Sequence, residues 1–211
     1  MDYEVFSHRL GFELFQTDSV RRQLWTEIDS ALVSITDEQI IDKFETIQSR
    51  GRVKRRSISS VINRLISDNL RDRGWSPESR IFVDSDFGDA WRLDFSKSHV
   101  SVEVGFNHGS DAAWNVIKPT LASQINHIKK EIQTDVGVIV TATPDMKSAG
   151  GFDGAVGTSR TYERILFAMQ QVVTVPLVIV GLKAPQTFHI EVEQIRDSSG
   201  SVRSVGHVIR H

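Results

Sequence analysis

Two nearly continuous apolar runs, DVGVIVT at residues 135–141 and PLVIVGL at residues 176–182, limit the folds that are open to this chain. Strands with so little polar alternation are typical of parallel sheets that helices cover on both faces. Two parallel strands need a crossover connection, and residues 160–172 between the runs have the apolar spacing of a helix. The sequence therefore predicts an α/β fold.

A second pattern, earlier in the chain at residues 91–106, predicts a β-hairpin. Apolar and polar residues alternate in residues 91–95 and again in 100–106, and Ser-Lys-Ser-His joins the two runs. Because strand side chains point to alternate faces, Asp94 and Glu103 share a face, and antiparallel pairing would make them diagonal neighbours. Two crowded carboxylates repel each other, and a divalent cation relieves that repulsion. We therefore predict a Mg²⁺ site, with two solvated acids on a half-exposed sheet as the alternative.

Composition restricts the function less than these patterns do. The chain has 211 residues, 39% of them hydrophobic, and no Pro/Gly/Ser-rich linker, so we expect a single domain over residues 1–211. A net charge of −2 does not mark a general polyanion binder, although a basic groove can lie within a neutral total. The absence of cysteine excludes disulfides and thiolate chemistry. Without a long apolar segment or a signal peptide, a cytoplasmic protein is expected.

Two polar segments are candidates for contact with nucleic acid. Residues 48–57 form the densest basic run, and we predict phosphate contacts from Arg52, Lys54, Arg55 and Arg56. A merely solvated surface is the alternative for this run. Residues 143–160 form a long glycine-rich loop after a buried strand, which is either functional or disordered. If it is functional, the side chains expected to reach bases or phosphates are Lys147, Ser148, Thr158, Ser159 and Arg160.

The hairpin resembles the active-site hairpin of the PD-(D/E)XK nucleases, most closely that of the BglII/BstYI-like type II restriction endonucleases. Its motif is Asp94, eight residues, and then Glu103. The resemblance extends in order and rough spacing to EVFSHRLGFELFQ at residues 4–16, GWSPESR at residues 74–80 and the two apolar runs. It implies a restriction-endonuclease-like α/β fold, with a central mixed sheet flanked by helices.

The same resemblance implies an activity and a set of partners. Asp94, Glu103 and the main-chain carbonyl of Val104 would bind Mg²⁺. The protein would hydrolyse double-stranded DNA at a specific sequence and leave 5′-phosphates. It would act as a homodimer, with one active site for each strand of a palindrome. A cognate DNA methyltransferase is implied in the same cell.

One position departs from the pattern of the family. The residue two places after the glutamate is usually Lys, Glu or Gln, but here it is Gly105, which cannot orient or deprotonate water. Either Asn107 or His108 takes over the catalytic role, or the ion and the DNA phosphate activate the water themselves. Two further interpretations stay open: a DNA-binding or regulatory module that does not cut, and a nickase or nuclease that depends on modified bases.

Three expectations concern the remaining scaffold. Pro119 is expected in the first turn of a helix whose buried stripe is Leu121, Ile125, Ile128 and Ile132. Residues 187–195 alternate strictly and are expected to form a half-exposed edge strand. The acids that precede the hairpin are expected to be solvated rather than to hold a second metal: Asp84, Asp86 and Asp89.

Overall fold

The computed structural model describes residues 1–51, 54–84, 91–124, 128–196 and 200–211. Its strands are β1 (Tyr3–His8), β2 (Ser76–Arg80), β3 (Arg92–Lys97), β4 (Val100–Val104), β5 (Val136–Ala142), β6 (Leu177–Leu182), β7 (Phe188–Arg196) and β8 (Val202–Arg210). Its helices are α1 (Gly11–Leu14), α2 (Ser19–Val33), α3 (Asp37–Arg50), α4 (Ser59–Asp72), α5 (Ala112–Ser123), α6 (Pro144–Ala149) and α7 (Ser159–Ala168). A short 3-10 helix spans Gly109–Asp111.

The central sheet has the strand order β1-β6-β5-β4-β3-β2. The strands β4, β5 and β6 are parallel neighbours, whereas β1, β3 and β2 extend the sheet with antiparallel pairs. Helix α7 lies between β5 and β6 in the chain, so the predicted crossover helix is confirmed, as is the mixed α/β sheet. None of the described helices is long and apolar enough to cross a bilayer.

The two apolar runs are continuous because both faces of β5 and β6 are covered. Val138 and Val140 pack into the larger hydrophobic core, which contains the apolar faces of α2, α3 and α4. Ile139, which lies between them, packs on the other face against α5 and α7. Every residue of β5 and β6 is buried in consequence. A strand covered on both faces needs no polar alternation, and this is the pattern that the sequence showed.

The prediction for Pro119 was wrong, because α5 begins at Ala112 and Pro119 lies in its interior. A proline there has no N–H for the helix ladder, a loss that close packing offsets. Its ring lies against Gly137 of β5, where an added Cβ would come within 2.8 Å of the proline Cβ. The buried stripe also fails at Ile128, which is 41% exposed. Ile125 lies outside the described residues.

Two predictions about the second half of the chain had different outcomes. The half-exposed strand expected at 187–195 is confirmed as β7, which among the described strands pairs only with β8, in a separate two-stranded sheet, and is therefore an edge strand. That pair packs on the core through Phe188, Ile190 and Val205. The loop at 143–160 is shorter than expected, because Thr143 caps α6 by accepting a hydrogen bond from the N–H of Met146.

Candidate active site

The strands β3 and β4 pair through Phe95 and Val102, and the two carboxylates lie one residue beyond that pair. Continuing the register sets Asp94 opposite Glu103, rather than diagonal to it as the sequence suggested. Beyond this pair, hydrogen bonds to side chains take the place of the backbone-to-backbone hydrogen bonds between the two strands. The Val104 N–H donates to Asp94 Oδ2 at 2.8 Å, and the Asp94 N–H donates to Glu103 Oε1 at 3.3 Å. The strands therefore separate here, and the two carboxylates lie in the gap.

The two acids differ greatly in their exposure to solvent. The Glu103 side chain is fully buried, whereas the Asp94 side chain is 36% exposed. The alternative of two solvated acids is therefore wrong for Glu103, because α5 covers its face of the sheet. Burial, and then the charge of Asp94, raise the pKa of Glu103 to about 8. A group in this environment binds a cation readily, since the cation relieves both effects.

Lys118 of α5 supplies a cation at this position that the sequence analysis did not identify. Its ammonium forms an ion pair with Glu103 Oε2 and lies 3.7 Å from Asp94 Oδ1. The lysine side chain is only 9% exposed. Burial alone would lower the pKa of Lys118, but the charges of Glu103 and Asp94 raise it overall, so the side chain stays charged. Three ionisable groups thus meet in the gap between β3 and β4.

Gly105 follows directly after this gap, and buried polar groups occupy the space on its side-chain side. The Asn115 amide of α5 donates to Tyr162 Oη of α7 at 2.8 Å. A Cβ added at Gly105 would lie 2.7 Å from the Asn115 Nδ2 and closer still to Tyr162 Oη. Real Cβ atoms do not approach heavy atoms so closely. Position 105, the expected third catalytic position, therefore has no side chain and could hold one only if Asn115 or Tyr162 moved.

An open cleft of about 300 Å³ reaches the exposed side of this arrangement. Asp94, Val104 and Asn107 line one wall. Polar residues of α4 line another, spaced four apart along the helix at Asn63, Ser67 and Arg71. Helix α4 thus contributes a polar wall to the cleft in addition to its apolar packing face. The cleft gives solvent, or a ligand, direct access to Asp94.

A family model described as restriction endonuclease BglII/BglIII matches residues 3–182. The chain belongs to the BglII/BglIII restriction endonuclease family. It is accordingly a type II site-specific deoxyribonuclease, and the resemblance seen in the sequence is confirmed.

Two solved structures of BglII share the fold of this family member. The crystal structure of BglII complexed with a DNA 16-mer is similar to the chain with a TM-score of 0.65 and 18% identity, over 100% of both chains. The structure of free BglII gives a TM-score of 0.58 and 17% identity, also over 100% of both chains. A search of curated protein sequences finds no match. The fold prediction is confirmed.

Asn107 and His108, which were predicted to take over the catalytic role of the side chain missing at position 105 in this BglII/BglIII family member, lie just after β4. Asn107 is exposed and shares the cleft with Asp94. His108 is exposed as well, but it forms a bridge with Val156 and is not among the residues that line the cleft. The structure thus brings Asn107, but not His108, into the same cavity as Asp94.

The basic run of 48–57 is described only in part, because Arg52 lies outside the described residues. Lys54 and Arg55 are exposed. The Arg56 guanidinium donates to the Gly151 carbonyl at 3.2 Å and lies 3.6 Å from Asp153 Oδ2. Arg56 therefore holds the loop after α6 against the start of α4. Asp86 and Asp89 also lie outside the described residues, as does His127, for which the helical pattern after Pro119 predicts a surface position.

The residues of the glycine-rich loop lie in different environments. Ser148 and Arg160 are exposed. The Lys147 ammonium donates to the carbonyls of Gly154 and Val156 at 2.6 and 2.7 Å. Thr158 and Ser159 are buried: Thr158 caps α7, and the Ser159 hydroxyl donates to Glu4 Oε1 at 3.2 Å. None of the five lines the cleft that contains Asp94.

Lys118, Asn115 and Tyr162 are among the site residues that the sequence did not reveal, as is Arg71 of α4. A signal existed for two of them, because Asn115 and Lys118 are polar residues one turn apart in an otherwise mostly apolar helix that follows the hairpin. Both are buried. Their role in the site could not be inferred, because nothing in the sequence shows which strand α5 packs against.

Proposed function

We propose that the protein hydrolyses double-stranded DNA with the help of Mg²⁺, which Asp94, Glu103 and the Val104 carbonyl hold. The observation that carries this proposal is the meeting of the two carboxylates where β3 and β4 separate, at the wall of an open cleft. The chain's membership of a restriction endonuclease family gives this cleft its substrate class. The DNA 16-mer bound in the BglII crystal structure supports a duplex as the ligand.

The donor atoms fit a hard divalent cation. Carboxylate and carbonyl oxygens suit Mg²⁺, which usually keeps several waters as well. The Val104 N–H points toward Asp94, and the N–H and C=O of one strand residue point the same way, so the carbonyl of Val104 also faces the gap. The described residues contain no cluster of three or more His, Cys, Asp or Glu side chains placed to hold a metal. Water and phosphate oxygens would therefore complete the coordination.

The bound ion would polarise the scissile phosphate and lower the pKa of the attacking water. The new bond forms between the water oxygen and phosphorus, and the bond from phosphorus to the 3′ oxygen breaks, which leaves a 5′-phosphate. Asp94 is the carboxylate that a phosphate can approach from the cleft, because Glu103 is fully buried. Arg71 and Asn107 line the same cleft and would contact phosphate oxygens there.

DNA contacts away from the cleft are proposed for exposed side chains of the two polar segments. Lys54 and Arg55 precede α4, and Ser148 and Arg160 flank the glycine-rich loop. Basic side chains gain affinity by releasing counterions from the duplex. Lys147 and Arg56 would have to give up contacts within the protein before they could bind phosphate.

A homodimer and a cognate methyltransferase belong to the same proposal. One pair of carboxylates can cut one strand at a time, so the cutting of both strands of a palindrome calls for two copies related by a two-fold axis. Host DNA carries the same target sequence, and its protection calls for a methyltransferase with matched specificity.

Plasmid cleavage tests this function. The purified protein is incubated with supercoiled plasmid and Mg²⁺, and the cut ends are read by run-off sequencing. We expect cleavage at one defined sequence, with 5′-phosphate ends and no product in EDTA. Asp94→Ala should remove cleavage. An intact protein that binds plasmid but never nicks it, in Mg²⁺ or Mn²⁺, would instead favour the non-cleaving module.

A further inference from the structure

We infer that Lys118 is a catalytic residue, and that its ammonium does the work of the side chain missing at position 105. The inference rests on the proposed nuclease function and identifies the protein group that contacts the reacting phosphate. It also explains how a family member can have glycine at this position.

The ammonium of Lys118 lies where a side chain at position 105 would act. It is in contact with Glu103 Oε2 and 3.7 Å from Asp94 Oδ1, so it lies beside both proposed metal ligands. It arrives from α5, on the opposite side of the gap from the cleft lining of α4. A lysine two residues after the glutamate would bring the same functional group to the same pair of acids from β4 itself.

The packing around Gly105 shows that the strand cannot provide that group. Asn115 and Tyr162 fill the space that its side chain would enter, and both are buried. Asn115 lies one turn before Lys118 on α5. The same helix therefore occupies the usual route of the side chain with Asn115 and provides the ammonium with Lys118.

The phosphate can reach this ammonium through Asp94. Lys118 Nζ is 3.7 Å from Asp94 Oδ1, and Asp94 lines the cleft, so a phosphate oxygen placed beside Asp94 Oδ1 would contact the ammonium. An ammonium has three donors and no acceptor, so it can bond to a nonbridging phosphate oxygen and to the attacking water at once. It keeps its proton throughout. The water loses a proton to solvent, and the leaving 3′ oxygen takes one from solvent.

The test uses the absence of cysteine from the chain. Lys118→Cys contains one thiol, which 2-bromoethylamine converts to S-aminoethylcysteine, a close analogue of lysine. Alkylation of the same thiol with iodoethane gives a neutral side chain of similar shape. Both alkylations are carried out on the unfolded protein, which is then refolded and checked by circular dichroism. The two products are then compared with the intact protein in single-turnover cleavage of a duplex that contains the sequence that the intact protein cuts.

We expect the ethylated protein to cleave about 10²–10³-fold more slowly than the intact protein, the usual effect of losing one donor to a developing charge. The aminoethylated protein should recover most of that loss. Duplex affinity in Ca²⁺ should change by less than about tenfold in both derivatives, or about 1.4 kcal/mol. Mn²⁺ affinity, measured by electron paramagnetic resonance, should not fall by more than about tenfold in either derivative, since loss of a neighbouring positive charge favours a cation. These two measurements separate a catalytic role from one in which Lys118 only supports the carboxylates.

A matched control is Lys97→Met, which removes a partly buried lysine outside the site. Lys97 Nζ donates to Glu27 Oε2 at 2.7 Å and to the Arg73 carbonyl at 2.6 Å. This change should lower stability and leave the cleavage rate within about threefold, since it removes a comparable ion pair away from the cleft.

Three results would overturn the inference. The ethylated protein could cleave within tenfold of the intact protein, or the ethylated and aminoethylated proteins could be equally slow. Alternatively, the ethylated protein could lose Mn²⁺ binding in step with cleavage. An intact protein that cuts no DNA would overturn the proposed function, and the role of Lys118 would fall with it.

Discussion

Gly105→Ala tests the packing that excludes a side chain from the third catalytic position. The new methyl group would lie 2.7 Å from Asn115 Nδ2 and closer to Tyr162 Oη, so at least one of these buried groups has to move. Overpacking of a well-filled core costs about 1–3 kcal/mol, and loss of the 2.8 Å bond between Asn115 and Tyr162 adds about 1 kcal/mol. We expect a total near 3 kcal/mol, or a Tm lower by about 6–12 °C for a chain of this length.

The assay is thermal unfolding followed by circular dichroism, with Gly154→Ala as the matched control. No atom of the described residues lies within 4 Å of a Cβ added at Gly154, so that variant should be unchanged or slightly more stable. In a Tyr162→Phe background, the cost of Gly105→Ala should fall by about 1 kcal/mol or more, because the closest atom is gone. If Gly105→Ala lowers Tm no further than Gly154→Ala does, the crowding argument is refuted, and with it the reason for a lysine supplied by α5.

Two further predictions concern charge and loop stability. Glu103, whose pKa is raised to about 8, binds its proton more tightly in the folded protein than in the unfolded chain. Metal-free stability should therefore fall as the pH rises from about 5 to 8, and fall less in Glu103→Gln; equal slopes of Tm against pH would contradict this. Arg56→Met should cost about 1 kcal/mol in denaturant unfolding, through lost contacts to Gly151 and Asp153. Arg160→Met, at an exposed position, should cost less than about 0.5 kcal/mol, and an equal cost would show that the Arg56 contacts contribute nothing.

The sequence predicted the strands and helices that have a strong apolar period. The runs at 135–141 and 176–182 became β5 and β6, and the alternation in 91–106 became the hairpin of β3 and β4. It did not predict β1, because Tyr3–His8 has an irregular mixture of exposed and half-buried residues at the edge of the sheet. It also misplaced the start of α5, because proline signals a first turn by itself and tolerance of an interior proline depends on Gly137 of another strand.

The carboxylate pair was also predictable, since it follows from a two-residue period and one register. The sequence placed Asp94 and Glu103 on one face, as diagonal rather than opposite neighbours, and could not show that one would be buried and the other exposed. That difference arises because α5 covers only one side of the gap. The exposure of each acid is a property of packing between distant segments and has no local pattern.

The sequence by itself determined the α/β class, the hairpin with its two acids and the resemblance to a nuclease family. Each of these depends on the spacing of residues that are close together in the chain. Only the tertiary structure decided that the Lys118 ammonium lies beside those acids, and that Asn115 and Tyr162 occupy the space next to Gly105. Lys118 and Glu103 are separated by a turn and the first half of a helix, and Tyr162 comes from a helix beyond the next strand. Their contact depends on how α5 and α7 pack on one face of the sheet, which is fixed by the burial of both helices together.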